Sequence, residues 1–106
     1  MTNQIQFLIY STARKNEKIN VAVKDETIWL SQKLMAAMFD CSADNIYLHL
    51  KSIYEEGELD ENSTTEDFSV VQKEGNRSVN RIIRYYNLDV IISVGYRFAD
   101  NNYGYM

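Results

Sequence analysis

One cysteine and one histidine are all that the 106 residues offer of the two side chains most used in metal and redox chemistry. With Cys41 alone, no internal disulfide can form and no cysteine cluster can hold zinc. A Cys–His nucleophilic pair or a histidine metal site would have to use His49 itself, and nothing around His49 spells a known motif. The four glycines form no phosphate-cradling loop. These absences point away from an enzyme, so no catalytic residue, no metal and no cofactor is expected. The hydrophobic runs are all far shorter than the roughly 20 apolar residues needed to cross a bilayer. The opening MTNQIQFLIY also lacks the basic segment of a signal peptide. Neither membrane insertion nor export is expected, and a reducing cytoplasm suits the single cysteine. Basic residues are in deficit too, with 11 Lys and Arg against 15 Asp and Glu and a net charge of −4. A nucleic-acid binder ordinarily carries a basic footprint, so any case for DNA must be made locally.

Hydrophobic residues at 45% and charged residues at 25% are ordinary for a soluble globular chain. The length suits one domain with one core. The charges are unevenly spread. Glu55, Glu56, Glu58, Asp60, Glu61, Glu66 and Asp67 fall within residues 55–67 with no Lys or Arg among them, a local −7. Lys73, Arg77, Arg81 and Arg84 face only Glu74 within residues 73–84, a local +3. The whole-chain charge therefore hides a basic segment.

Apolar alternation at Ile5, Phe7 and Ile9, and again at Ile19, Val21 and Val23, predicts a hairpin, with Thr27–Leu30 as a third strand after Asp25 and Glu26. From Ser31 the period becomes helical. Leu34, Met35, Met38 and Phe39 form one stripe behind a Ser31 N-cap, and Ile46, Leu50 and Ile53 form another behind Ser42, ending at Gly57. Residues 58–67 read as a polar acidic connection. A second hairpin is expected around Glu74–Arg77, with Gly75 and Asn76 both able to take positive φ. Asn87 can cap a last helix whose apolar stripe is Leu88, Ile91, Ile92 and Gly95, although the β-branched run Val90–Ile92 also suits a strand. Residues 98–106 carry no period and are expected to fray. The fold class is α+β: a winged helix-turn-helix-like domain over residues 3–97, with an N-terminal β-meander and a C-terminal hairpin plus helix.

Two helices joined by the break Asp40–Ser42, with small Ala36 where they cross, fit a helix-turn-helix. Asp40 stands where glycine is frequent, and it tolerates the left-handed region better than most residues. On the second helix, Asp44, Leu48, Lys51 and Glu55 project outward, with Asn45, Tyr47 and Ser52 on the shoulders. Asn45 can read adenine, Ser42 and Tyr47 can bond phosphate, and Lys51 can pair with phosphate or guanine, while Asp44 and Glu55 repel the backbone. Lys73, Arg77, Arg81 and Arg84 form the basic wing, pressing cations against phosphate or into the minor groove. The bland alternative is a solvated hairpin whose charges deter strand-to-strand aggregation. Arg81 and Arg84 lie on opposite strand faces and cannot meet one phosphate row. His49 reads as a partly buried, hydrogen-bonded interface residue, and Cys41 as a small buried hydrophobe. The carboxylates of 55–67 read as a solvated surface, since no apolar pocket raises a pKa there.

The stretches DETIWLSQKLMAAMF, NIYLHLKSIYEEGELDENS and YYNLDVIISVGYR, in this order and spacing, resemble the virulence protein RhuM family over most of residues 5–97. HLKSIYEEGEL and YNLDVIISVGYR are long, ordered phrases, far more specific than the helix pair alone. The resemblance implies a bacterial protein of mobile elements, akin to phage antirepressor and KilA-type N-terminal DNA-binding modules. It carries over no catalytic residue. Similar proteins continue beyond GYR into a further helical region, so the resemblance implies an N-terminal module or a truncated member here. Where they commonly have a polar or basic residue before Asp44, this chain has Ala43. Double-stranded DNA is thus the expected partner. The rival from another class is a protein-interaction or dimerisation module using Leu48, the acidic connection and the tyrosine-rich end.

Overall fold

The computed structural model describes residues 6–11 and 18–103, with side chains at 21–99. Strands β1 (Gln6–Ser11), β2 (Lys18–Lys24) and β3 (Thr27–Ser31) come first, followed by helices α1 (Gln32–Phe39), α2 (Ala43–Glu55) and the single turn α3 (Glu61–Thr64). Strands β4 (Thr65–Glu74) and β5 (Arg77–Asn87) and helix α4 (Leu88–Tyr103) complete the chain. The architecture is α+β, one antiparallel sheet in the order β1-β2-β3-β5-β4 with helices packed on it.

The expected opening strands pair from Gln6↔Val23 to Ser11↔Lys18. Ile5 and the connection 12–17 lie outside the described residues. Asp25 and Glu26 close the β2–β3 hairpin with φ of 55° and 61°, the sign pattern of a type I′ turn that matches the twist of its strands. The second hairpin closes through Gly75 at φ 64°, but Asn76 does not join it at positive φ as expected. Only the first loop position is left-handed, the type II′ sign pattern, so glycine alone meets the steric demand.

The helix boundaries follow from caps. Ser31 accepts a hydrogen bond from Leu34 N and Ser42 one from Asn45 N, each 3.1 Å. Asp40 holds the left-handed position that ends α1, at φ 57°, while Cys41 N donates to Ala36 O at 3.0 Å. Gly57 does the same after α2 at φ 74°, with Glu58 N donating to Ile53 O. Both ends are Schellman-type caps that satisfy carbonyls left over by the helix.

The main core lies between the helices and one side of the sheet. Leu30, Met35, Ile46, Ile53, Val90 and Val94 are its largest fully buried side chains, each contributing roughly 1.5–3 kcal/mol of burial. A smaller cluster of Ala22, Trp29, Phe68 and Tyr85 occupies the opposite side. The Trp29 indole donates to Lys24 O at 3.0 Å, which satisfies its ring N–H.

Three expectations need correction. The acidic connection is not structureless to residue 67: Asp60 caps α3, and β4 starts at Thr65. The α4 stripe is rotated: Val90, Ile91 and Val94 are buried, while Leu88 and Ile92 are exposed. Two apolar faces exist on this helix, and Asn87, accepting from Val90 N, delivers the first of them to the core. Finally, α4 does not stop at Arg97 but runs to Tyr103. Phe98 packs its ring 6.1 Å from that of Phe39, giving the helix a reason to continue. Residues 104–106 lie outside the described residues.

Candidate nucleic-acid interface

Strand β5 fixes the geometry, because it pairs with β3 through Trp29↔Asn87, Leu30↔Tyr86 and Ser31↔Tyr85 and with β4 along its whole length. The hairpin that holds the basic residues is therefore built onto the strand that leads straight into α1. An open groove of about 760 Å³ separates the hairpin from the helix pair. Gln32, Lys33 and Leu34 form one wall, Phe68 and Val70 lie on the strand side, and Ala43 at the start of α2 opens into it. Gln32 Nε2 donates to Ala43 O at 2.8 Å, tying the first turns of α1 and α2 together.

On α2, Ile46, Leu50 and Ile53 point into the core as their spacing requires, leaving Ser42, Asn45, Tyr47, Leu48 and Lys51 exposed. Tyr47 is 51% and Leu48 60% exposed. The Ser42 hydroxyl oxygen already accepts from Asn45 N, so only its proton remains for a phosphate. The helix is held from behind by Arg97 of α4, which donates to Ser52 at 2.9 Å, Glu56 at 2.9 Å and Glu58 at 2.8 Å. Ser93 also bonds Glu58. Hydrogen bonds from Arg97, then from Ser52, hold the Glu56 carboxyl below its usual range; for Glu58, Ser93 is the larger cause and Arg97 the second. Two of the seven acidic residues are thus struts between α2 and α4, a role no local pattern announces.

The four hairpin cations divide by side and by partner. Register places Arg77 and Arg81 on one side of the β4–β5 ribbon and Lys73 and Arg84 on the other. Arg81 grips Glu74 through two hydrogen bonds, 3.0 and 2.8 Å. Arg84 grips Asp67 and reaches Glu61 at 3.1 Å. These contacts lower the Asp67 pKa and raise those of both arginines. Lys73 and Arg77 have no ion-pair partner among the described residues, nor do Lys51 on α2 and Lys33 on the groove wall. Lys33 was missed from sequence because nothing local distinguishes a lysine on a groove from one on open surface.

His49 is half-buried with its ring edge-on to Phe98 at 6.4 Å, and it makes no hydrogen bond among the described residues, contrary to expectation. Burial first, and Arg97 second, lower its pKa below the ordinary 6.5. The unfolded chain then takes up this proton at a higher pH than the folded one, so stability should fall as pH drops from 6.5 toward the folded pKa. A His49→Gln variant is expected to flatten that part of the profile of melting temperature against pH, leaving the later loss below about pH 4.5 that Glu56 and Glu58 produce. An unchanged slope near 6.5 would assign it to another group. Burial, then Asp40, raises the Cys41 thiol pKa, which keeps it a poor nucleophile. Among the described residues no group of His, Cys, Asp and Glu is placed to hold a metal ion. No described helix is long and apolar enough to cross a membrane.

No curated protein and no solved structure matches the chain significantly. A protein-family model does match: residues 63–103, which hold the end of α3, both strands of the hairpin and all of α4, are similar to the virulence protein RhuM family.

Proposed function

We propose that this chain is a DNA-binding module of winged helix-turn-helix type from a bacterial mobile-element or virulence-associated protein, working in the cytoplasm. Helix α2 enters a groove of the duplex, with Asn45 toward base edges and Ser42, Tyr47 and Lys51 toward the backbone, while the β4–β5 hairpin lies along phosphates. The observation that carries this reading is the pairing of β5 with β3, which anchors the hairpin beside the helix pair. A wing separated from its recognition helix by a flexible joint would lose the register that phosphate contacts provide. The kinship with KilA-type and phage antirepressor modules that the RhuM resemblance implies agrees with this reading by analogy alone.

The test is fluorescence anisotropy of a labelled random-sequence duplex titrated with the chain at rising salt. Affinity should fall linearly in log–log form, with a slope of about −0.9 per phosphate neutralised. Absence of binding at low salt would end the proposal. The carboxylates beside the wing add a refinement, since Glu74 occupies Arg81. Glu74→Gln should therefore raise affinity for random DNA at low salt severalfold and steepen the salt slope by about one contact. An affinity equal to the parent's would mean that Arg81 does not meet phosphate even when released.

The second reading, a protein-interaction module, is favoured by one observation: Leu48 stands 60% exposed in the middle of the outward face of α2. In that case the chain would show no salt-sensitive affinity for random DNA, and Leu48→Lys would abolish partner binding.

A further inference from the structure

The terminal strand β4 is long and regular, with its charges confined to its two ends. It runs ten residues, and its pairing from Thr65↔Tyr86 to Glu74↔Arg77 is uninterrupted by any bulge. It contains no proline, and Phe68, Ser69, Val70 and Val71 at its centre are uncharged. Proteins usually blunt such an edge with a bulge, a proline, an inward charge or a covering element. Because the hairpin has a two-residue loop, its closing pair Glu74–Arg77 exchanges both main-chain hydrogen bonds, and the bonded pairs then alternate along the ribbon. The N–H and C=O groups of Thr65, Asp67, Ser69, Val71 and Lys73 consequently point out from the free edge.

We propose that these groups are met by a second copy of this chain, the two β4 strands pairing antiparallel about a two-fold axis through Ser69 and joining two five-stranded sheets into one. The residues themselves select this occupant and register. Two-fold pairing sets opposite one another only residues from the same side of the sheet. Two registers then pair all but one residue of β4. With the axis at Val70, Asp67 faces the other copy's Lys73, but Glu66 faces Glu74 on both sides of the axis, and Phe68 faces Gln72, so the two apolar floors do not meet. Like charges directly opposite are destabilising.

With the axis at Ser69, Phe68 faces the other copy's Val70 twice, on the side that already holds the Trp29, Phe68 and Tyr85 cluster. The apolar floor of one groove continues into the other. Glu66 faces Gln72, and Lys73 faces Thr65 with the other copy's Asp67 on its diagonal. The least favourable neighbour is Val71 across from Asp67, whose carboxylate is turned to Arg84. The pairing uses no residue of α2 and needs no DNA, so it stands or falls separately from the DNA reading.

Sedimentation equilibrium of the whole chain without DNA should show a mass that doubles with concentration in the micromolar range. Ser69→Pro removes the outward N–H on the axis while sparing the bonds to β5, a place where an edge strand tolerates proline. It should keep the parent's circular dichroism spectrum and remain monomeric. In a Cys41→Ser background, Ser69→Cys should cross-link to a dimer under mild oxidation, because directly opposed Cα atoms about 5.5 Å apart suit a disulfide, whereas Val70→Cys should not. If Ser69→Pro fails to fold, the cysteine pair decides. A monomer at every concentration, self-association that survives a folded Ser69→Pro, or preferential cross-linking at residue 70 would overturn the proposal.

Discussion

Ile46→Ala is expected to lower the unfolding free energy by about 2–5 kcal/mol, the range for truncating a fully buried aliphatic side chain. Ile46 is 0% exposed and belongs to the cluster that α2 shares with α1, β3 and α4. The cavity would open where three helices meet, and neighbours held by their own caps have little freedom to fill it. Against a total stability on the order of 5–15 kcal/mol for a domain of this size, the loss is a large fraction of the whole. Each kcal/mol corresponds to roughly 4–8 °C, so a thermal melt followed by circular dichroism should move down by 10 °C or more, in order of magnitude. Leu48→Ala on the same helix is the control, since a surface substitution changes stability by only about 0.5 kcal/mol. Equal shifts for the two would mean that α2 is docked by a different face, and with it the assignment of Asn45, Tyr47 and Lys51 to the outside would fall.

Under the proposed function, the double variant Lys73→Ala, Arg77→Ala is expected to give the largest loss of DNA binding. These two hairpin cations, unlike Arg81 and Arg84, have no carboxylate of their own among the described residues to satisfy them. Each phosphate contact removed should reduce the slope of log K against log salt by about 0.9, so the double variant should lose about one contact, whichever side of the ribbon faces the duplex, at every sequence alike. They lie on opposite sides of the ribbon, so the single variants would also tell which side faces the duplex. Arg81→Ala alone should cost much less, because its charge is already offset by Glu74. Asn45→Ala, by contrast, should relax sequence preference by about 1–3 kcal/mol at one base pair and leave the salt slope intact. Parent and double variant with the same slope would remove the hairpin from the binding surface.

Much of this arrangement is legible in the residues because its signals are local. Ser31, Asp40, Ser42 and Gly57 mark helix ends through their own side chains or backbone preferences, and a cap depends on neighbours three or four positions away. The inward stripe Ile46, Leu50 and Ile53 has no rival on α2, whose other side is polar apart from Tyr47 and Leu48. Helix α4 offers two apolar stripes, Val90–Ile91–Val94 and Leu88–Ile92, and period cannot choose between them. The choice is made by the angle at which β5 hands the chain over at Asn87. Its length was hidden because Phe98 finds its partners at Phe39 and His49, on other elements. The neutralisation of the hairpin's arginines Arg81 and Arg84 was hidden for a similar reason. Arg84 meets Asp67 and Glu61 only once β4 and β5 are in register, and a count of charges along the segment treats it as free.

The place of β5 between β3 and β4 also bears on how the chain is made. Synthesis releases β1, β2, β3 and the helix pair first, and at that stage the side of β3 that will bond Tyr85–Asn87 has nothing to bond. It gains its neighbour only after β4, the loop at Gly75 and β5 have left the ribosome. Until then Leu30 and Trp29 have a strand on one side only, that of β2, and Ile46 and Ile53 lack the cover that α4 provides. The nascent protein therefore carries an incomplete sheet and a half-covered core until β5 and α4 have been made. The segment that ends this exposure, β4 through α4, is the same one that matches the RhuM family model. A ribosome stalled ahead of residue 87 would leave a chain for chaperones and proteases to find.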